Sequence, residues 1–176
     1  EEAEDMFSRA DKLLEFITRN AQKKGVDTTP LYQLMRRHVD ETVVRASSVR
    51  FGLIVTRFPS LSAVQMPIGD MEPGSLHDWL MASCACFPAF PMKSIGEHRY
   101  IDGGFSDNVP VDMAIRTGAR HVIAIDIGKN RAHTAYDRRP NITYIRTSHP
   151  LGGLLSFDAD RSARNRILGY NDTLRA

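Results

Sequence analysis

The period of the apolar positions changes repeatedly along this chain, and each change marks an element. Met6, Phe7, Ala10, Leu13, Leu14 and Ile17 recur at helical spacing, with acids ahead, Lys23 and Lys24 behind, and Gly25 placed to stop the helix. "DTTPLYQLMRRHV" predicts a second helix, with Thr29 as N-cap, Pro30 at the first helical position and Leu31, Leu34 and Met35 on one face. A short helix or turn over Asp40 to Arg45 follows. In "VRFGLIVTRF" the pattern turns β-like and ends at Pro59, and "AVQMPI" is its hairpin or neighbouring partner. Ser75 then caps a helix carrying Leu76, Trp79, Leu80 and the small residues Ala82 to Cys86, ended by Pro88 and Pro91.

The block from His98 to Ile127 combines several signals. "HRYI" predicts a short strand and "DGGFSDN" a loop. "PVDMAIRTG" predicts a helix opened by Pro110 and closed by Gly118, and "RHVIAIDIG" a nearly continuous apolar strand. Strand, loop, helix and buried strand in this order make a βαβ unit. "NITYIRT" adds a strand at an edge, and a last helix runs through Ala163, Ile167 and Leu168 toward Tyr170. The fold class is therefore α/β, a layered sheet with a parallel βαβ crossover.

With 176 residues, the chain is long enough for one compact domain with a real core. A net charge of +2 is too small to indicate nucleic acid as a partner. Arg161, Arg164 and Arg166 form a local basic face, read as a solvated helix surface, with an anionic head group left open. Cys84 and Cys86 are the only cysteines. One intervening alanine suits neither an ordinary disulfide nor a zinc site, so both are expected as buried small hydrophobes. No apolar run reaches bilayer length and no export signal opens the chain, so the cytoplasm is the default location, with peripheral contact at a membrane left open. None of the six histidines has a companion at metal-ligand spacing.

Asp102, in "HRYIDGGFSDNVP", is the candidate site residue, and two readings compete for it. Asp-Gly between β-formers is a hairpin signal, because the pair tolerates positive φ. Against that, a helix and a buried strand follow, which puts Asp102 at the carboxyl end of its strand, where open α/β sheets place their ligands. Gly103 and Gly104 then allow a sharp turn and keep bulk away from the carboxylate.

"YIDGGFSDNVPVDMAIRTGARHVIAIDIG" resembles the Asp-Gly-Gly segment of patatin-like phospholipases, with its downstream Asn-x-Pro, helix, Gly-Ala and apolar strand. "FGLIVT", "GSLHDWLMASCACFPAFP" and "ILGYNDTL" are similar to the same family in order. The resemblance spans essentially all of residues 1–176, as the carboxyl-terminal part of a single family domain. "SCACFP" departs from the family's usual Ala-Ser pair but keeps small side chains. The resemblance implies a lipid acyl hydrolase that uses a Ser–Asp dyad without histidine or cofactor, its serine on a Gly-x-Ser-x-Gly elbow and its oxyanion held by an upstream glycine-rich loop. Asp102 matches the dyad aspartate.

No serine here lies in Gly-x-Ser-x-Gly. Ser106 comes nearest and is read as a loop hydroxyl bonded to local backbone. The amino-terminal half with the nucleophile elbow is therefore expected to be absent, the chain alone inactive, and the missing half its partner, with a lipid or acyl ester as substrate. Two other classes compete with this reading. One is a metal-dependent phosphoryl-transfer site on Asp102, Asp107 and Asp126, for which no phosphate-cradling loop is present. The other is a non-catalytic binding domain that kept the fold.

Overall fold

The computed structural model describes residues 26–128, 136, 139–153 and 158–176. The helix predicted over Met6 to Ile17 lies outside them. The chain forms two compact units, the first ending at Asn108 and the second beginning at Val109.

The first unit is built on a four-stranded sheet of order β2-β1-β4-β3, with β1 at Gly52–Phe58, β2 at Ser62–Pro67, β3 at Lys93–Ile95 and β4 at His98–Asp102. All three pairings are antiparallel. The run "LIVT" makes β1 the centre of this unit: Val55 and Thr56 are fully buried, and Leu53 and Ile54 nearly so. As expected, "AVQMPI" is its hairpin partner, with Leu53 opposite Met66 and Val55 opposite Val64. Strand β3 is too short and too irregular to show in the sequence pattern. Ile95 faces His98, which leaves Gly96 and Glu97 as a two-residue turn, and Gly96 takes the positive φ (58°) that this turn needs at its first position.

Three helices accompany this sheet among the described residues: α1 at Thr29–His38, α2 at Glu41–Ala46 and α3 at Leu76–Ser83. Helix α1 starts one residue earlier than predicted, with Thr28 as N-cap, and the Asp27 carboxylate accepts the Thr29 N–H. Helix α3 buries Leu76, Trp79, Met81 and Ala82. Leu76, Trp79 and Ala82 join Leu53, Val55, Met71 and Tyr100 in one core, where the Trp79 and Tyr100 rings meet at 5.2 Å. Each large side chain buried here contributes about 1.5–3 kcal/mol.

Two details of α3 differ from the sequence expectation. The Ser75 hydroxyl donates to Glu72 O and does not cap the helix. The Glu41 carboxylate, from α2, does that work by accepting the N–H groups of Gly74 and Leu76. The helix also ends at Ser83, before the prolines, because Cys84 folds its thiol and N–H back onto Leu80 O and the chain then makes consecutive i→i+2 turns. In these turns Ala85 is the buried residue, while Cys84 and Cys86 are only half-buried, a correction to their reading as core hydrophobes.

The second unit contains α4 at Val111–Arg116, β5 at Val122–Asp126, β6 at Ile142–Arg146 and α5 at Ala159–Arg175. Gly118 (φ 96°) ends α4 as predicted: Gly118 N–H reaches Ile115 O and Ala119 N–H reaches Ala114 O, the paired bonds of a Schellman stop. The fold class is α/β with a parallel strand pair, and the parallel partner of β5 is β6. The sequence pattern placed the crossover one unit earlier, between "HRYI" and "VIAIDI". The structure instead pairs β4 antiparallel with β1 and β3, its neighbours through direct and hairpin contacts.

Val122, Ala124, Ile142 and Val111 form a small core, while Ile123, Ile125 and Ile127 are exposed. So β5 alternates and is not buried on both faces. The arginines of α5 are also less free than a solvated face implies. Arg164 donates to Pro150 O, and Arg161 lies against Gly152, where a Cβ would stand 2.8 Å from its Cδ. The nearly buried Asp172 carboxylate accepts the Ser148 N–H.

Glu41 links α2, the turn after β2 and the start of α3. Arg45 pairs with it at 2.7 Å and donates to the carbonyls of Ile68, Met71 and Glu72. Burial raises the Glu41 pKa, but the bonds from Gly74, Arg45 and Leu76 outweigh it and leave the carboxyl below its ordinary 4.5. A depressed carboxyl stabilises the fold above its unfolded pKa, and that contribution disappears as pH falls through the folded value. Glu41→Ala should therefore cost about 2 kcal/mol in urea unfolding near neutral pH. The difference from wild type should shrink as the pH falls well below 4.5.

Candidate active site

Asp102 is the last residue of β4, an inner strand, and stands opposite Val55 of β1. The chain then leaves the ladder through a single 3-10 turn, Gly103–Phe105. The carboxylate therefore sits at a strand terminus inside a four-stranded sheet, not at the tip of a two-stranded ribbon.

Asp102 is held at three points. Its N–H donates to Ala85 O at 3.0 Å. Its carbonyl accepts from the Thr56 hydroxyl at 2.8 Å, and its Oδ1 accepts the Gly104 N–H at 2.8 Å. No described residue donates to Oδ2. One carboxylate oxygen is thus fixed by backbone and the other is left as an acceptor.

The two glycines have separate reasons. A Cβ on Gly103 would lie 2.3 Å from Ile54 O, so a side chain there has no room. That carbonyl is itself fixed, because the Ser83 hydroxyl donates to it at 2.8 Å. A Cβ on Gly104 would stand 3.0 Å from Asn108 Oδ1 and 3.2 Å from Asp102 Oδ1, which crowds the carboxylate more than the fold. The pair expected from the sequence to make room for a turn divides into one residue needed for packing and one beside the charge.

Ser106 does bond to local backbone, but weakly, at 3.4 Å to Gly103 O. Its shorter contact, 2.7 Å, is with the Thr56 hydroxyl across the sheet. Thr56 was not singled out by motif. The available signal was its position, a lone hydroxyl within the buried run "LIVT", where a polar group needs a partner.

The Cys84 and Cys86 thiols flank Ala85. Burial pushes both pKa values up, and the Asp102 charge adds to the effect, which keeps them protonated and poorly nucleophilic. A small open groove is lined by Met81, Ala85, Phe90 and Met92 among others, so part of "LMASCACFPAF" faces a groove as well as the core.

Among the described residues no cluster of three His, Cys, Asp or Glu side chains is placed to hold a metal ion. Asp126 caps its own strand end, accepting the Gly128 N–H, and lies 3.8 Å from the Arg146 guanidinium. His77 contacts Val39 O through Nε2 and serves packing between helices.

The sequence matches the family model for patatin-like phospholipases over residues 3–115. The chain belongs to that family. The match takes in β1 to β4, Asp102 and both glycines, and it ends inside α4. Patatin-like phospholipases are a family of lipid acyl hydrolases, and the fold on which this one builds Asp102 is mixed α/β. A search of curated proteins returns no match. No helix among the described residues of this patatin-like chain is long and apolar enough to cross a membrane.

The glycines predict different outcomes in this patatin-like site. Gly103→Ala should lower stability by about 1–3 kcal/mol, as overpacking against fixed backbone does. Gly104→Ala should unfold close to wild type. Thermal or urea unfolding of the pair checks the contrast, and equal losses would remove the distinction.

Proposed function

We propose that this chain supplies the general base of a Ser–Asp lipid acyl hydrolase, with Asp102 as that base and the nucleophilic serine on polypeptide outside these 176 residues. The observation that carries the reading is the asymmetric anchoring of Asp102: Oδ1 is bonded to Gly104 N–H, while Oδ2 has no donor among the described residues. Membership of a lipid acyl hydrolase family supports the reaction class. The exposed isoleucines of β5 support the reading that further polypeptide completes the domain.

In this mechanism Asp102 Oδ2 takes the serine proton as the serine oxygen attacks the ester carbonyl. The same proton then goes to the departing alcohol, leaving an acyl-enzyme. Asp102 next takes a proton from water, whose oxygen attacks the acyl carbon, and returns it to the serine. A base fixed at its backbone and at one oxygen acts without histidine because it has little freedom to turn away from the hydroxyl it serves. No metal is needed for any of these steps.

In the intact protein carrying this segment, Asp102→Asn should reduce turnover of a short-chain chromogenic ester by about 10³-fold or more without changing the unfolding profile. Turnover at the wild-type rate would remove the assignment. EDTA should leave activity unchanged, whereas a carboxylate–metal site would lose it. The 176-residue chain assayed by itself should release no product.

A further inference from the structure

We propose that Thr56 and Ser106 are positioning residues for Asp102, forming a two-hydroxyl relay that fixes where its carboxylate stands. The inference rests on the reading of Asp102 as the dyad base, and it assigns work to two residues that touch neither substrate nor the reacting atoms.

Direction within the relay follows from donor counting. A carbonyl oxygen only accepts, so the single Thr56 hydroxyl hydrogen must go to Asp102 O, at 2.8 Å. The one Ser106 hydrogen has two acceptors in reach, Gly103 O at 3.4 Å and Thr56 Oγ1 at 2.7 Å, and the shorter contact takes it, with Ser106 as donor and Thr56 as acceptor. The relay runs from Ser106 to Thr56 to the Asp102 carbonyl, and each bond polarises the next in the same sense.

Its placement gives it leverage. Thr56 is fully buried on β1, between neighbours whose packing a valine would serve as well by shape. Its hydroxyl is the one feature that valine lacks. Asp102 and Ser106 bracket the turn Gly103–Phe105, so a single buried oxygen on β1 holds the residues on both sides of that turn. Ala85 O and Gly104 N–H hold the aspartate from other directions. With Thr56 Oγ1 removed, the Asp102 carbonyl loses its only side-chain partner among the described residues and the carboxylate can drift with it.

The test uses the intact protein and a short-chain ester. Thr56→Val should lower kcat by about 10–100-fold while KM stays within about twofold, because a displaced base weakens the chemical step and not the binding of ester. Thr56→Ser retains the hydroxyl and should recover most of that loss. Ser106→Ala removes only the outer link and should lower kcat by about 3–10-fold with a native unfolding profile. Folded Thr56→Val at wild-type kcat, or a loss that Thr56→Ser does not recover, would overturn the relay. Should Thr56→Val fail to fold, Ser106→Ala decides, and wild-type kcat in that variant overturns it. Asp102→Asn separates the two claims: if it is inactive while Thr56→Val is normal, the relay alone falls, and if it is active, both fall.

Discussion

The backbone of β1 comes so close to the turn after Asp102 that it dictates what can stand there. Ile54 O excludes any side chain from Gly103, and Thr56 Oγ1, on the same strand, holds the Asp102 carbonyl. The aspartate therefore leaves the ladder along one path, with its carboxylate oriented by the turn that follows. If β1 moved, the contact, the turn and the placement of Oδ2 would change together. Ser83 strengthens this arrangement by bonding Ile54 O from α3, which ties the position of the turn to the helix that fills the core.

That dependence explains why the first unit spends polar interactions on placing α3. Burial of Leu76, Trp79 and Ala82 supplies the driving force but specifies direction poorly, since apolar contact is tolerant of small shifts. The Glu41–Arg45 pair specifies it better. It ties carbonyls of the turn after β2 and amides at the start of α3 to one helix, α2. Ala85, just past the end of α3, then offers its carbonyl to the Asp102 N–H. Sequence-distant segments thus meet at one carboxylate through backbone groups and hydroxyls of fixed geometry.

The chemistry proposed for Asp102 fits such a site. A base of the proposed kind, working without an intermediary imidazole, has to be aimed by the protein itself; hydrogen bonds to the Asp102 main chain and to Oδ1 do that, and no described residue occupies Oδ2. The half-buried thiols beside it, kept protonated by burial and by its charge, do not compete as nucleophiles.

Much of this was legible in the sequence. Helical spacing of apolar residues with Pro, Gly and capping signals marked the helices, and short runs of β-formers marked β1, β2, β4, β5 and β6, because burial and turn geometry constrain the residues themselves. Asp-Gly-Gly marked a carboxylate at a strand end, since few residues tolerate such a turn. Strand pairing was less legible. The parallel partner of β5, the antiparallel setting of β4 and the short β3 depend on which distant edges meet, and local composition carries little of that information. Capping of α3 by Glu41 in place of Ser75, and the bond from Thr56 to Asp102, join residues 35 and 46 positions apart. A sequence names the donors and acceptors a chain possesses. Which of them bond is decided only when packing brings them within hydrogen-bond distance, and here that decision determines which oxygen of Asp102 is bonded to the backbone.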